Sequence, residues 1–102
     1  MITKLYTVLD SKTNAFFSPF HALNEASAMR SIAECILDDS HAFSRFTQDY
    51  DLFYVGEYDD STGGYDVHAP VHVCSLLVIR AQVLSDRADL TARLEPKLNE
   101  ES

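Results

Sequence analysis

Two segments of the chain are rich in the β-branched, aromatic and apolar residues that are typical of β-strands. Residues 2–9 and 51–58 carry apolar or aromatic side chains on both faces, which is typical of strands with little solvent exposure. Short polar residues at 10–14 and 59–64 predict turns, with returning strands at 15–21 and from residue 65. Pro19 and Pro70 cannot donate to a ladder, so they belong at an edge or an interruption. Gly56 indicates a bulge or a close contact. The pattern predicts two β-hairpins.

Between the hairpins, apolar residues recur at helical spacing. Asn24 suits a helix N-cap, and one stripe follows it at Met29, Ile32, Ala33, Ile36 and Leu37. Asp38 and Asp39 are disfavoured at a helix C-terminus, so the helix is expected to stop there. Ser40 is expected to cap a short second helix through about residue 47.

The pattern of residues 71–84 is compatible with both a strand and a helix. Its β-branched residues favour a strand, whereas a second set of apolar positions forms a helical stripe. We expect a strand through about Ile79 and a short helix from Ser85 to near Pro96. The predicted class is therefore α+β: a small antiparallel sheet of two hairpins packed against one main helix and a short second helix. Residues 1–94 would form one compact domain, and residues 95–102 a polar, frayed tail.

The charge is concentrated in the middle of the 102-residue chain, whose formal charge is −8. Residues 46–79 carry six acidic groups and no basic ones, while each flank has a net charge of −1 and the flanks together hold every Lys and Arg. The total excludes a basic protein that coats nucleic acid by bulk charge. It leaves room for a local cationic face.

Aromatic and basic residues of the first half are the candidates for such a face. An exposed ring on a sheet can stack a nucleobase, and two adjacent phenylalanines on a strand point to opposite faces. The predicted site combines rings that stack bases with cations that contact phosphates: Phe16, Phe17, Phe20, Lys4, Lys12, Arg30 and Arg45. The alternative is that the rings fill the core and the cations are unrelated surface charges.

Other chemistry finds weaker support. His68, His72 and Cys74 form H-x₃-H-x-C, which lacks the fourth ligand of a structural zinc site unless His21, His41 or Cys35 supplies it. The acidic segment lacks calcium-loop spacing and is more simply a hairpin turn. We therefore expect no metal, no cofactor and no enzymatic activity. Cys35 and Cys74 are expected as free thiols, and neither a signal peptide nor a membrane-spanning segment is expected.

Several motifs occur in a characteristic order over residues 3–64. An opening Lys4-Leu5-Tyr6 with Asp10 precedes Pro19-Phe20, then Asn24 with Ala28-Met29-Arg30, then a hairpin with the sequence D-Y-D-L-F-Y-V-G-E-Y-D-D (residues 49–60) followed by Thr62-Gly63. In these motifs the chain resembles the small nonstructural protein of gokushoviruses, which belong to the Microviridae, tailless phages with circular single-stranded DNA. The hairpin is the most specific element, and the resemblance fades after Gly64.

The resemblance implies a nonstructural protein of the host bacterial cytoplasm that binds single-stranded DNA and assists the switch from replication to packaging. A homodimer would bring two cationic hairpins together. A second hypothesis is an acidic adaptor that docks on phage replication or capsid proteins through the hairpin near Asp59 and makes no direct DNA contact. The net charge favours the adaptor, and the resemblance favours DNA binding.

Overall fold

The computed structural model describes residues 1–101, with the side chains of residues 1–89. Its elements are β1 (Ile2–Asp10), β2 (Ala15–Phe16), β3 (Phe20–Ala22), α1 (Glu25–Leu37), α2 (Ala42–Arg45), a 3₁₀ turn (Thr47–Asp49), β4 (Tyr50–Asp59), β5 (Gly64–Ser75) and α3 (Leu76–Glu101). All strand pairs are antiparallel. The predicted α+β class is confirmed.

The sheet is arranged in the order β2-β1-β4-β5, and β3 also pairs with β1. The returning strand expected at residues 15–21 is therefore split in two. Pro19, which has no N–H to donate, lies between the halves, and the Phe17 N–H donates to the carbonyl of Val8 at 2.9 Å. Strands β1 and β4 are interior, in agreement with the apolar residues on both of their faces.

Helix α1 begins as its capping residue predicts. The Asn24 side chain accepts the N–H of Ser27 at 2.8 Å, and the buried line on the helix is Ala28, Ile32 and Ile36. Leu37, which we placed on the same stripe, is exposed. It is the last helical residue and is rotated about 100° from Ile36, so it points away from the core.

The boundary between β5 and α3 differs from the prediction. The strand ends at Ser75, not near Ile79, and the helix begins at Leu76, not at Ser85. Leu76 and Ile79 are buried, and the Ser75 hydroxyl accepts the N–H of Leu77 at 3.2 Å. Helix α3 also continues past Pro96 to Glu101. The tail predicted at 95–102 lies where side chains are outside the described residues.

Gly56 occupies the close contact that the sequence indicated. Its φ is +150°, a conformation that side chains rarely adopt, and a Cβ there would lie 2.3 Å from the carbonyl oxygen of Asp66. The pairing of β1 with β4 shifts at this point, because Leu5 pairs with Gly56 and Tyr6 with Tyr54, so Val55 is an extra residue. The bulge reverses which residues of β4 face each side of the sheet.

The two faces of the sheet have different surroundings. On the side that we call the covered face, residues of β1 and β4 pack with the helices in one core cluster that contains Tyr6, Val8, Leu52, Ile32, Ile36, Leu76 and Ile79. On the opposite side, the open face, the sheet carries the alternate residues of each strand.

Candidate functional site

Aromatic and histidine rings from several strands line the open face. Register places them there: Phe53 pairs with Thr7 and His72, while Tyr58 pairs with Thr3 and Tyr65. These positions alternate with the covered-face residues of the same strands. The rings form two groups, one toward each end of the sheet.

The first aromatic row consists of Phe16, Phe53 and His72. Phe16 and Phe53 meet edge to face, with 5.3 Å between ring centroids, and Phe53 meets His72 in the same way at 5.3 Å. Phe16 is 48% exposed, and the His72 side chain is about half exposed. The Nε2 atom of His72 lies 3.0 Å from the Asp51 carboxylate, which fixes the imidazole at the edge of the row.

The second aromatic row consists of His21, Tyr58 and Tyr65. The His21 ring meets Tyr58 edge to face at 5.2 Å, and Tyr58 meets Tyr65 at 4.6 Å in a tilted arrangement. Nδ1 of His21 lies at hydrogen-bonding distance, 3.2 Å, from the Thr3 hydroxyl. Tyr65, on the edge strand β5, is 62% exposed.

Both rows lie over strand β1, and the outer rings of each row remain accessible to solvent. Strand β1 lies between β4 and the short strands that carry Phe16 and His21, so each of these rings reaches across β1 to its partner. Leu5 and Thr7, which lie below, are buried although no helix covers them. The rows are about 13 Å apart, the length of four strand residues between Thr3 and Thr7.

The open face owes little to fixed positive charge. Lys4 is the only Lys or Arg in the five strands, and it shares the covered face with Tyr6. Its Nζ lies 5.9 Å from the centroid of the Tyr54 ring. A ligand placed on the open face would therefore meet chiefly rings, including the imidazoles of His21 and His72.

The structure separates the three predicted phenylalanines. Phe16 lies on the open face, whereas Phe17 packs on Phe43 at 5.5 Å and on Tyr50 at 6.0 Å. Phe20 packs on Tyr6 at 6.2 Å and against the core cluster. Phe17 and Phe20 together line a cavity of about 420 Å³ between α1 and the segment that joins β2 to β3.

The four predicted cations do not form one small patch. Lys4 lies near one end of β1 and Lys12 in the turn beyond the other end, about 20 Å or more away. Arg30 is on the exposed side of α1, beside α3, and Arg45 is on α2 with its guanidinium 5.4 Å from the Phe46 ring. Their contribution to binding stays a prediction.

Sequence reasoning missed His21, Phe53, Tyr58, Tyr65 and His72 as members of a shared surface. Residue type alone favours core positions for most such rings and marks His21 and His72 only as candidate zinc ligands. Alternation along β4 puts Phe53 on the face opposite Leu52, but the extra residue Val55 reverses the alternation before Tyr58. Pairing partners, which single-strand patterns do not contain, were needed to assemble the rows.

Other candidate chemistry can be located within the described part of the chain. Among its side chains, no group of three or more His, Cys, Asp or Glu residues is placed to hold a metal ion. Cys35 and Cys74 are free and partly buried, and burial raises the pKa of both thiols. No helix within the described residues is both long and apolar enough to cross a membrane.

Comparison with known proteins identifies a phage family. The family model described as Phage ORF5 protein matches residues 3–79, which include both aromatic rows. No curated protein and no solved structure matches the chain. Because the match spans about three quarters of the sequence, the chain belongs to the Phage ORF5 protein family.

Proposed function

We propose that this member of the Phage ORF5 protein family is a non-catalytic protein that binds single-stranded DNA on the open face of its sheet. The observation that supports the proposal most is the pair of aromatic rows with exposed outer rings, Phe16 and Tyr65. Stacking of one base on one such ring contributes about 1–3 kcal/mol and is tolerant of sequence. Bases of a single strand are available for stacking, whereas those of a duplex are already stacked on each other.

Because the open face carries little positive charge, the proposal predicts that DNA affinity depends only weakly on salt concentration. Each phosphate contact contributes about −0.7 to the slope of log K against log salt on single strands. A surface that binds through rings should therefore show a shallower slope than a basic groove. The formal charge of −8 agrees with this mode of binding and opposes a phosphate-driven one.

The biological setting is part of the same proposal. The phage family and the likeness of residues 3–64 to gokushovirus nonstructural proteins support action on the phage genome in the bacterial cytoplasm, at the switch from replication to packaging. A homodimer would double the number of aromatic rows available to one strand. The mass of the protein in solution, measured by light scattering, tests the dimer.

The decisive experiment compares Phe16 and Phe46, two phenylalanines that are 48% and 45% exposed. Fluorescence anisotropy would measure binding of labelled oligothymidine and duplex DNA at several salt concentrations. Phe16→Ala should weaken binding of the single strand about 5- to 150-fold, as the loss of one stacked base predicts. Phe46 is 45% exposed at the end of α2 and outside both rows, so Phe46→Ala should change binding less than twofold.

A second candidate function rests on the acidic hairpin tip. Asp59 ends β4 and Asp60 begins the β4–β5 turn, where the Asp60 carboxylate accepts a hydrogen bond from the N-terminal amine of Met1 at 2.6 Å. An exposed acidic tip suits docking on a basic phage protein. Absence of single-strand binding by the wild-type protein at low salt would reject the DNA proposal and leave this adaptor function.

A further inference from the structure

Two arginines outside the predicted site line a cleft on the helical side of the molecule. Arg80 and Arg87 of α3 share it with Ser44 of α2 and Asp39, which follows α1. The cleft has a volume of about 130 Å³, and apolar side chains from α1 and α3 form the rest of its wall. Arg45 directly follows Ser44 on the same short helix.

The two guanidinium groups are arranged to act together. Arg87 follows Arg80 by seven positions, which places both side chains on nearly the same side of α3, with their Cα atoms about 10.5 Å apart along the axis. The described side chains form two ion pairs, Met1 with Asp60 and His72 with Asp51, and neither of these uses an arginine. Arg80 and Arg87 thus border the cleft without a carboxylate within 4 Å among the described residues, Asp39 included.

The cleft lies toward the same end of the sheet as the first aromatic row. Helix α3 starts at Leu76, one residue after Ser75, which pairs with Asp51, the partner of His72. The turn that carries Lys12 is held at this end as well, because the Ser11 N–H donates to the carbonyl of Asp49 at 2.9 Å. A strand that leaves the first row around this end of the sheet would approach α2 and the start of α3.

We propose that this cleft binds phosphate groups of the same single strand, with Arg80 and Arg87 as the contacts and the Ser44 hydroxyl as an additional donor. Guanidinium groups match phosphate geometry through paired N–H donors and are always charged. The inference rests on the proposed function, since it assigns the backbone contacts that the open face lacks. It also places them on α3 beyond residue 79, where the family match ends.

The first test measures salt dependence. Arg80→Gln combined with Arg87→Gln should make the slope of log K against log salt shallower by about 1.4, the contribution of two phosphates on a single strand. Gln82→Ala changes α3 at a residue that lines a different cavity and removes no charge, so its slope should equal that of wild type. A slope in the double variant equal to that of wild type would overturn the proposal.

An oligonucleotide without bases separates the contribution of the cleft to binding from that of the rings. An abasic oligonucleotide keeps the phosphates, so the arginine double variant should bind it at least tenfold more weakly, while Phe16→Ala should bind it like wild type. Arg80→Lys with Arg87→Lys keeps both charges and should recover most of the slope. If the glutamine pair lowers thermal stability and the lost folded fraction accounts for its whole effect on binding, the arginines serve the fold alone and the proposal fails.

A further experiment distinguishes failure of the proposed phosphate site from failure of the proposed DNA-binding function. The arginine Nε–Hε signals in a ¹H–¹⁵N spectrum would be followed during titration with inorganic pyrophosphate. Shifts at Arg80 and Arg87 in a protein that binds no DNA would support the anion site and reject the proposed function. Single-strand binding without any shift at these two signals, with pyrophosphate or with the strand, would reject the site and leave the function standing.

Discussion

The two faces of the sheet are built from alternate residues of the same strands, yet they differ in composition and exposure. The covered face contributes Val8 and Leu52 to a helix-packed core, and Leu52 is 0% exposed. The open face presents rings whose outer members are about half exposed, such as Phe16. Alternation thus lets one strand stabilise the fold with one set of side chains while it offers the other set to a ligand.

Neighbouring residues of β4 provide the largest test of this difference. Leu52→Ala removes a fully buried side chain and should lower the free energy of unfolding by about 2–5 kcal/mol. Phe53→Ala removes a half-buried ring with two edge-to-face contacts, and should cost less than about 2 kcal/mol while weakening DNA binding. Urea denaturation of both variants checks the prediction. An equal or larger loss for Phe53→Ala would show that the open face is also a core.

Local signals were sufficient to predict much of the covered face. The Asn24 cap, the line of Ile32 and Ile36, and the interior strands follow from spacing and residue type alone. Gly56 was recognised because only a close approach or a bulge requires glycine inside such a strand. These features depend on residues near each other in sequence.

The remaining features depend on tertiary contacts. Residues 71–84 fit a strand and a helix equally well, and the burial of Leu76 and Ile79 against the core is what begins the helix after Ser75. Ser75 was the one local signal, since its hydroxyl accepts the Leu77 N–H. The two aromatic rows depend on register across four strand pairs, and of their six members only Phe16 belongs to the site predicted from the sequence.

The bulge is where the two faces exchange residues, and Gly56 makes it possible. In Gly56→Ala, the φ of +150° alone should cost of the order of 1–3 kcal/mol, and the added Cβ would meet the Asp66 carbonyl oxygen. We expect the bulge to rearrange and the second aromatic row to lose its register. Thermal unfolding and amide chemical shifts of Tyr58 and Tyr65 would measure both effects.

Gly63→Ala is a useful comparison, because Gly63 has a φ of +72° but nothing lies within 4 Å of a Cβ placed there. Equal stability of Gly56→Ala and wild type would contradict the role assigned to the bulge.

Removing the N-terminal cap of α1, which packs on the covered face, should have a smaller effect on stability. Asn24→Ala removes the acceptor for the Ser27 N–H and should lower the free energy of unfolding by about 0.5–2 kcal/mol. Asn24→Ser retains a capping oxygen and should recover most of the loss. Because α1 lies on the covered face, neither variant should change the affinity of the open face for single-stranded DNA. If Asn24→Ala is fully folded and still binds DNA more weakly than wild type, the two faces are not independent.

The smallest effect concerns the thiols, both of which belong to the covered face. Cys35 on α1 and Cys74 on β5 pack against the core cluster, and desolvation raises the pKa of each above its ordinary value. In the unfolded chain a thiol ionises near pH 8.5, while in the folded chain it stays protonated to higher pH. Their contribution to stability is therefore complete below about pH 8.5 and is lost as pH rises through the folded pKa. Urea midpoints between pH 7.5 and 9.5 should decline more steeply for wild type than for a Cys35→Ala/Cys74→Ala variant. Parallel declines would mean that the tyrosines with raised pKa, Tyr6 and Tyr54 among them, dominate the alkaline loss instead.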